Sequence, residues 1–184
     1  MKKVLFAAIV MIAMTSCETR VAGDTSTDHK AVADHHAEAT NKVYRAIESG
    51  DIAALDTLFT DDVIDHNAGP QGQDIKGKDS VIAMVGQIHN YFEGLKMEML
   101  HHATSADGQY HYATVRMTGK SKANPWGMPV GMDMDDTSVD VVKIRDGKCA
   151  EHWSFMSMGD FNEVMSMMQS GGQPPAKADT SNKK

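Results

Sequence analysis

The sequence predicts an α+β domain in which helices come first and an antiparallel sheet follows. Up to about residue 92, apolar residues recur every three or four positions, which is the spacing of amphipathic helices. From Leu95 to Trp153 the spacing changes to two, which is typical of strands. Asp-Gly pairs at 107–108 and 146–147 interrupt this second half and predict tight hairpin turns. This order of elements indicates a curved sheet that is wrapped on one face by helices.

Three helices are predicted before the first long strand. They cover residues 29–49, 52–59 and 81–93. Gly50 ends the first helix, because glycine readily adopts the left-handed conformation found at helix C-termini. Asp51 and Ser80 are placed to cap the second and third helices with their side chains. Between these two helices, residues 60–67 predict a short edge strand or turn that leads into a surface loop.

The predicted strands form two hairpins. The first joins residues 95–103 to residues 110–118, and the second covers residues 137–153. In the second hairpin, Asp140 is in phase with Val142 and Ile144, so its carboxylate is predicted to face the buried side of the sheet. A buried carboxylate is unfavourable unless it is paired. Asp140 is therefore the first candidate for a functional residue.

The N-terminal segment has the features of a bacterial lipoprotein signal. Residues 1–16 contain a lysine pair, a short apolar run and small residues directly before Cys17. We expect cleavage there and lipidation of Cys17, with an ordinary secretory signal as the alternative. This predicts an exported, membrane-anchored protein on the periplasmic or cell-surface side. Glu18 is not the aspartate typical of inner-membrane retention, which favours the outer membrane.

The rest of the chain is predicted to form one domain. A flexible tether at 17–28 leads to a folded body at 29–169, which ends in a short helix at 160–168, and a disordered tail follows at 170–184. Loss of the two signal lysines changes the formal charge from −7 to −9, which argues against a nucleic-acid partner. Apart from the lipidated cysteine only Cys149 remains, so no internal disulfide is expected.

Three segments resemble the SnoaL-like branch of the NTF2-like superfamily. They are GDIAALDTLFTDDVIDHN, GKDSVIAMV and VDVVKIRDGKCAEHW, and the likeness covers about residues 30–168. The resemblance implies an NTF2-like cone, with a cavity between the curved sheet and the N-terminal helices. Members include polyketide cyclases, ester cyclases, isomerases and dehydratases. It further implies acid-base chemistry on small apolar molecules, without a metal or a cofactor.

The same resemblance assigns candidate catalytic residues. His66, Asp140 and His152 match polar positions of the family, with Asp140 and His152 as the proton-handling pair and His66 assisting. In similar cyclases an aspartate follows the Glu-His-Trp motif, whereas Ser154 stands there in this chain. Serine cannot hold a proton at a useful pKa, so the cyclase mechanism cannot be transferred whole. A structural hydrogen bond at Asp140 and a turn role for His66 remain alternatives.

Further residues are candidates for ligand binding. Tyr110 and Tyr112 could donate phenol hydrogens to a ligand oxygen, or pack their rings on the sheet. Trp126 and Met128 lie in the loop expected to close the cone, and Ser154 follows the motif. The many methionines fit a lipophilic pocket as well as a copper site. The adjacent histidine pairs at 35–36 and 101–102 split between two faces and are poorly spaced for a metal, so none is predicted.

Two functions are compatible with these residues. The first is a lipid-anchored domain that binds a small apolar molecule in its cone, with cofactor-free acid-base catalysis of the cyclase or isomerase type. The second is a non-catalytic ligand-binding or dimerisation module. Periodicity favours burial of Trp153 and Phe155, whereas the resemblance places His152 on the opposite face in the cone. Both can hold if a second copy covers the outer face, so a homodimer is predicted.

Overall fold

The computed structural model describes residues 25–69, 71–122 and 128–169. The predicted signal, the start of the tether, the tail and Trp126 lie outside these residues. The helices are α1 (Thr25–Ser49), α2 (Ile52–Leu58), α3 (Lys78–Val85), α4 (Ile88–Tyr91) and α5 (Met158–Gln169). The strands are β1 (Phe59–Asp65), β2 (Ile75–Lys76), β3 (Phe92–Thr104), β4 (Tyr110–Ser121), β5 (Asp133–Arg145) and β6 (Lys148–Met156). Within the described residues, no helix is long and apolar enough to cross a membrane.

The predicted α+β class and NTF2-like cone are confirmed. The six strands form one sheet in the order β2-β1-β6-β5-β4-β3, and α1 packs on β3 and β4 while α3 packs on β1. The sheet is mixed rather than wholly antiparallel, because β1 runs parallel to β6. Residues 60–67 are predicted to form an edge strand or a turn, but most of them belong to β1, which lies between β2 and β6 and is not an edge strand. Asp65 thereby lies beside His152.

The third predicted helix is divided in the structure. It begins after Gly77 rather than at Ser80, and it ends at Gly86 before the short helix α4. Phe92 fits the helical spacing of apolar residues, yet it starts β3, where it pairs with Ser121 and is 1% exposed. Burial of a large aromatic side chain and a strand pairing outweigh the weaker local preference for helix.

The hairpin of β5 and β6 contains a bulge that decides which residues face the cavity. Asp146 and Gly147 both have positive φ, as a two-residue hairpin turn requires. The register runs from Lys143–Glu151 to Ile144–Cys149, so Ala150 is an extra residue without a partner. Cys149 therefore lines the same cavity as His152, although simple alternation places it on the opposite face with Trp153.

Candidate functional site

A cavity of about 330 Å³ lies between the helices and the inner face of the sheet. Its volume is within the range of small-molecule sites. Most of its wall is apolar, with Val43 and Ile47 from α1, Val85 from α3, and Met117 from β4. The polar side chains that converge on it from α1, β1, β5 and β6 include Tyr44, Asp65, Ser138, Asp140, His152 and Ser154.

His152 lies between two buried acids at one side of this cavity. Its Nδ1 is 2.8 Å from Asp65 Oδ1, within hydrogen-bond distance. Its Nε2 is 3.7 Å from Asp140 Oδ2, which is an ion-pair distance but too long for a hydrogen bond. Asp65 and Asp140 are each only 5% exposed. The predicted proximity of Asp140 and His152 is therefore observed, and Asp65 completes an Asp–His–Asp arrangement.

Asp140 accepts hydrogen bonds on both carboxylate oxygens. The Tyr44 hydroxyl donates to Oδ2 at 2.9 Å. The hydroxyls of Ser154 and Ser138 donate to Oδ1 at 2.8 and 3.2 Å. Ser154 and Ser138 are close because Asp140 pairs with Ser154 across the ladder and lies two residues from Ser138 on the same strand. These donors fix the orientation of the carboxylate and stabilise its charge.

The electrostatics of the site favour the charged forms of Asp140 and His152. Burial favours a neutral Asp140, but His152, Ser154 and Tyr44 outweigh it and lower the pKa of this carboxyl. Burial likewise opposes a charged His152, but the two neighbouring acids raise its pKa to about 10. At neutral pH the imidazole is therefore an imidazolium, and its Nε2–H is directed at the side of the cavity where Asp140 lies.

Two neighbouring groups stay neutral. Burial, and then the negative charge of Asp140, raise the pKa of the Tyr44 phenol, so it acts as a donor. Burial raises the pKa of the Cys149 thiol, and the neighbouring acids add to this effect. Cys149 is thus a neutral part of the cavity wall. It is not a candidate nucleophile, because only a thiolate is an effective nucleophile.

The structure places His66 differently from the other two catalytic candidates, Asp140 and His152. It borders the cavity, but its Nε2 lies 3.0 Å from Glu151 Oε2 and its ring stacks on Trp153 at 4.3 Å between centroids. Glu151 and Trp153 alternate with His152 along β6 and so lie on the outer face of the sheet. The His66 ring is held at the edge of that outer face, which leaves His152 as the histidine inside the cone.

The ligand-binding candidates are only partly brought together. Ser154 lines the cavity. Tyr110 and Tyr112 do not, because Val115 and Met117 give β4 its cavity face and the tyrosines have the opposite phase. Their predicted contact with a ligand in the cone is therefore wrong: both lie on the outer face, where Tyr110 is near Trp153 and Tyr112 is exposed.

Met128 also departs from its prediction. It is buried within the hydrophobic core cluster and is absent from the cavity wall. The loop prediction for Trp126 lies outside the described residues. In the part of the chain that the structure describes, no group of three or more His, Cys, Asp or Glu side chains is placed to hold a metal ion.

Sequence reasoning missed Asp65 and Tyr44. Asp65 is in phase with buried Val63 on β1, and this period-two spacing is a signal that could have identified it. Tyr44 lies beside the apolar stripe of α1, and no local pattern distinguishes it from a packing residue. Tyr44 and Asp140 are 96 residues apart in the sequence, and only the fold brings them within hydrogen-bond distance.

A family model identifies the class of protein. The model of the SnoaL-like domain matches residues 40–152, which is more than half of the chain. The chain therefore belongs to the SnoaL-like domain family. A search of curated proteins found no significant match.

Solved structures share the fold at low sequence identity. A proposed polyketide cyclase from Pseudomonas putida is 24% identical, with a TM-score of 0.59 and coverage of 70% of this chain and 96% of that chain. A Mycobacterium tuberculosis protein in complex with estradiol-17beta-hemisuccinate is 15% identical, with a TM-score of 0.56 and coverage of 68% and 95%. An epoxide hydrolase/cyclase-like enzyme with a role in pyran ring formation in salinomycin is 17% identical, with a TM-score of 0.56 and coverage of 68% and 92%.

Proposed function

We propose that this protein binds a small, mostly apolar molecule in its cone and acts on an oxygen of that molecule through His152. One observation carries the proposal: a charged imidazolium faces a mostly apolar cavity, and its Nε2 lies 3.7 Å from Asp140 Oδ2, beyond hydrogen-bond distance. A ligand carbonyl or ether oxygen can accept that hydrogen. Two structural neighbours support this assignment, since one is in complex with estradiol-17beta-hemisuccinate and the other has a role in pyran ring formation.

The chemistry that we propose is electrostatic catalysis of a cyclase- or isomerase-type reaction, with the imidazolium as the hydrogen-bond donor to the substrate oxygen. Donation from Nε2 to a substrate oxygen would stabilise negative charge that develops on this oxygen. Asp140 keeps His152 protonated, and Asp65 fixes the ring through Nδ1. Asp140 itself is a weak base because Tyr44, Ser138 and Ser154 donate to it. We therefore assign it to positioning and charge stabilisation of His152.

A second candidate function is binding without turnover. General acids are most effective when their pKa lies near the working pH. The acids around His152 raise its pKa to about 10, which makes it a strong hydrogen-bond donor but a reluctant proton donor at pH 7. Under this alternative, the same Asp–His–Asp arrangement recognises a ligand oxygen and performs no reaction.

Asp140→Asn discriminates between the two functions. The change removes the charge that maintains the imidazolium, so turnover across a panel of lactones, enols and hydroxy-steroids is expected to fall at least tenfold. Ligand binding is retained because the cavity keeps its volume. Asp133→Asn is the matched control, since Asp133 is exposed on the same strand and pairs with Lys120. Turnover of Asp140→Asn equal to that of the parent would sink the enzyme proposal and leave the binding function.

The homodimer is a further part of the proposal. Tyr112, Val139 and Phe155 are exposed on the outer face of the sheet, and Phe155 is 55% exposed. Adjacent exposed apolar side chains in a sheet are typical of an interaction surface. We expect a dimer by sedimentation, and a monomer for Phe155→Lys. Ile52→Lys, which changes an exposed apolar residue on α2, is expected to stay dimeric. A monomeric parent protein at high concentration would contradict this.

The lipid anchor remains a proposal that rests on the sequence. The short apolar run of residues 1–16 and the cysteine that follows support acylation of Cys17 and attachment to a membrane outside the cytoplasm, with the outer membrane favoured. Mass measurement of the mature N-terminal peptide tests it. A peptide that begins at Cys17 without added acyl mass would exclude lipidation.

A further inference from the structure

Thr40 is a polar residue of the cavity wall that the Asp–His–Asp arrangement does not use. It lies on α1, in the stripe that also places Val43, Tyr44 and Ile47 in the wall. Thr40 is 5% exposed, and its hydroxyl oxygen has no hydrogen-bond partner among the described residues. A buried hydroxyl without a partner costs free energy, so its presence in a cavity wall points to a ligand that supplies the missing hydrogen bond.

Two other helical hydroxyls of this chain are satisfied by the backbone. Ser49 Oγ donates to the Ala46 carbonyl at 3.3 Å, and Thr57 Oγ1 donates to the Ala54 carbonyl at 2.9 Å. Thr40 makes no such bond within the described residues, although a threonine in a helix has this option. Rotation about its Cα–Cβ bond exchanges the methyl and hydroxyl groups, and threonine in helices occupies two such rotamers. The hydroxyl can therefore face the cavity without any movement of the backbone.

Thr40 belongs to a cluster of unpaired polar atoms between α1 and β4. Four buried side-chain nitrogen or oxygen atoms of the described residues lack a partner, and three of them belong to His36, Thr40 and His111. His36 precedes Thr40 by about one helical turn, and its ring lies 6.1 Å from that of His111. Neither histidine belongs to the described cavity wall. Thr40 is thus the member of this cluster that a molecule in the cavity can meet.

Thr40 and Tyr44 mark two polar points on the same face of α1. Both line the cavity, one turn apart, which is about 6 Å along the helix axis. The Tyr44 hydroxyl donates to Asp140, beside His152, where the proposed function places the ligand oxygen. A ligand that binds His152 with this oxygen and extends along α1 brings its far side to the Thr40 hydroxyl.

We infer that the cavity contains a second polar subsite at Thr40, and that its ligand carries a hydroxyl there in addition to the oxygen that His152 binds. A hydroxyl both donates and accepts, so it can pair with Thr40 in either direction. A charged group would lose its hydration at a position that is 5% exposed, and Thr40 offers it no ion pair. The inference rests on the proposed function, because it extends the ligand of the same cavity.

Compact ketones with and without a hydroxyl test the subsite. We would measure binding calorimetrically at pH 6 for α-tetralone and for three hydroxy-α-tetralones that differ in the position of the ring hydroxyl. At least one of the three is expected to bind at least tenfold more tightly than α-tetralone. Thr40→Val replaces the hydroxyl by a methyl group and is expected to abolish this gain, with the affinity for α-tetralone kept within twofold.

Two control variants accompany Thr40→Val. Thr40→Ser keeps the hydroxyl and is expected to retain the tighter binding of the hydroxytetralone. Thr57→Val removes an exposed hydroxyl of α2 outside the described cavity wall and is expected to leave all four affinities unchanged.

The stability of the unliganded protein gives an independent readout. Thr40→Val removes an unpaired buried hydroxyl, so its denaturation midpoint is expected to equal or exceed that of the parent. A midpoint below that of the parent would indicate a structural partner for this hydroxyl and would overturn the inference.

The binding outcomes separate the subsite from the function on which it depends. Hydroxytetralones that bind no more tightly than α-tetralone overturn the subsite and leave the binding function in place. Equal losses for α-tetralone and the hydroxytetralones in Thr40→Val also overturn it, because the change would then act through the shape of the wall. Failure of all four ketones to bind counts against the proposed function itself.

Discussion

Replacing His152 by alanine is expected to lower the free energy of unfolding by about 3–5 kcal/mol at pH 7. The imidazolium lies 2.8 Å from Asp65 and 3.7 Å from Asp140, and both acids are 5% exposed. Removal of the cation leaves two buried carboxylates that repel each other. Chemical denaturation with a two-state fit measures the loss.

Two comparisons identify the source of this destabilisation. The double variant His152→Ala with Asp140→Asn removes one of the two unpaired buried carboxylates and is expected to recover part of the lost unfolding free energy. His101→Ala, at an exposed position of β3, is expected to change stability by less than about 0.5 kcal/mol. A cost below about 1 kcal/mol for His152→Ala would show that the ion pairs do not stabilise the fold.

The same pairing predicts a decline of stability at alkaline pH. The two acids raise the pKa of His152 to about 10, above its ordinary value of 6.5. The folded state therefore binds the proton more tightly than the unfolded state. The stabilisation that protonated His152 provides is complete below pH 6.5 and is lost as the pH rises through about 10.

Acidification is expected to remove about 3 kcal/mol of stability between pH 6.5 and pH 4 through His111. Burial lowers the pKa of this fully buried imidazole to about 4, and His102 and His36 add to the effect. Its Nδ1 lies 3.3 Å from Thr104, while its Nε2 has no partner within the described residues. Between these two pH values the unfolded state binds a proton at His111 and the folded state does not. The contribution is present above pH 6.5 and lost as the pH falls through about 4.

His111→Leu tests this acid sensitivity. The variant cannot take up the proton, so its unfolding free energy is expected to decline less between pH 6.5 and pH 4 than that of the parent. His36 contributes in the same direction, since burial and then His35 lower its pKa. His101→Leu, at an exposed position of β3, serves as the control and should retain the parent slope. Equal acid slopes in the parent and His111→Leu would refute the assignment.

Together the two histidines predict a stability maximum near pH 6.5. His152 lowers stability above that value and His111 lowers it below, because their pKa values are shifted in opposite directions. The fold also brings one histidine from each of the two adjacent pairs, 35–36 and 101–102, close to His111. The pairs do split between faces, yet the rings of His36 and His102 lie 6.1 and 5.5 Å from that of His111.

The sequence by itself determined the local features of this protein. Period-two spacing placed Asp140 in phase with Val142, and both are buried on the cavity side. The Asp146-Gly147 pair defined the hairpin turn, with the positive φ values that it requires. The Asp51 side chain caps α2 through the Ala54 amide. Each of these depends on residues within a few positions of one another, which is the range over which spacing and propensity act.

Tertiary structure alone decided which faces and which distant residues form the site. Spacing gives the phase of Tyr110 and Tyr112 but not the side of the sheet that helices cover, and they lie outside the cone. The unpaired Ala150 moves Cys149 into the cavity, because register depends on the partner strand. His152 lies within hydrogen-bond distance of Asp65, which is 87 residues away in the sequence and belongs to the neighbouring parallel strand. That long-range pairing, rather than any local pattern, creates the Asp–His–Asp arrangement.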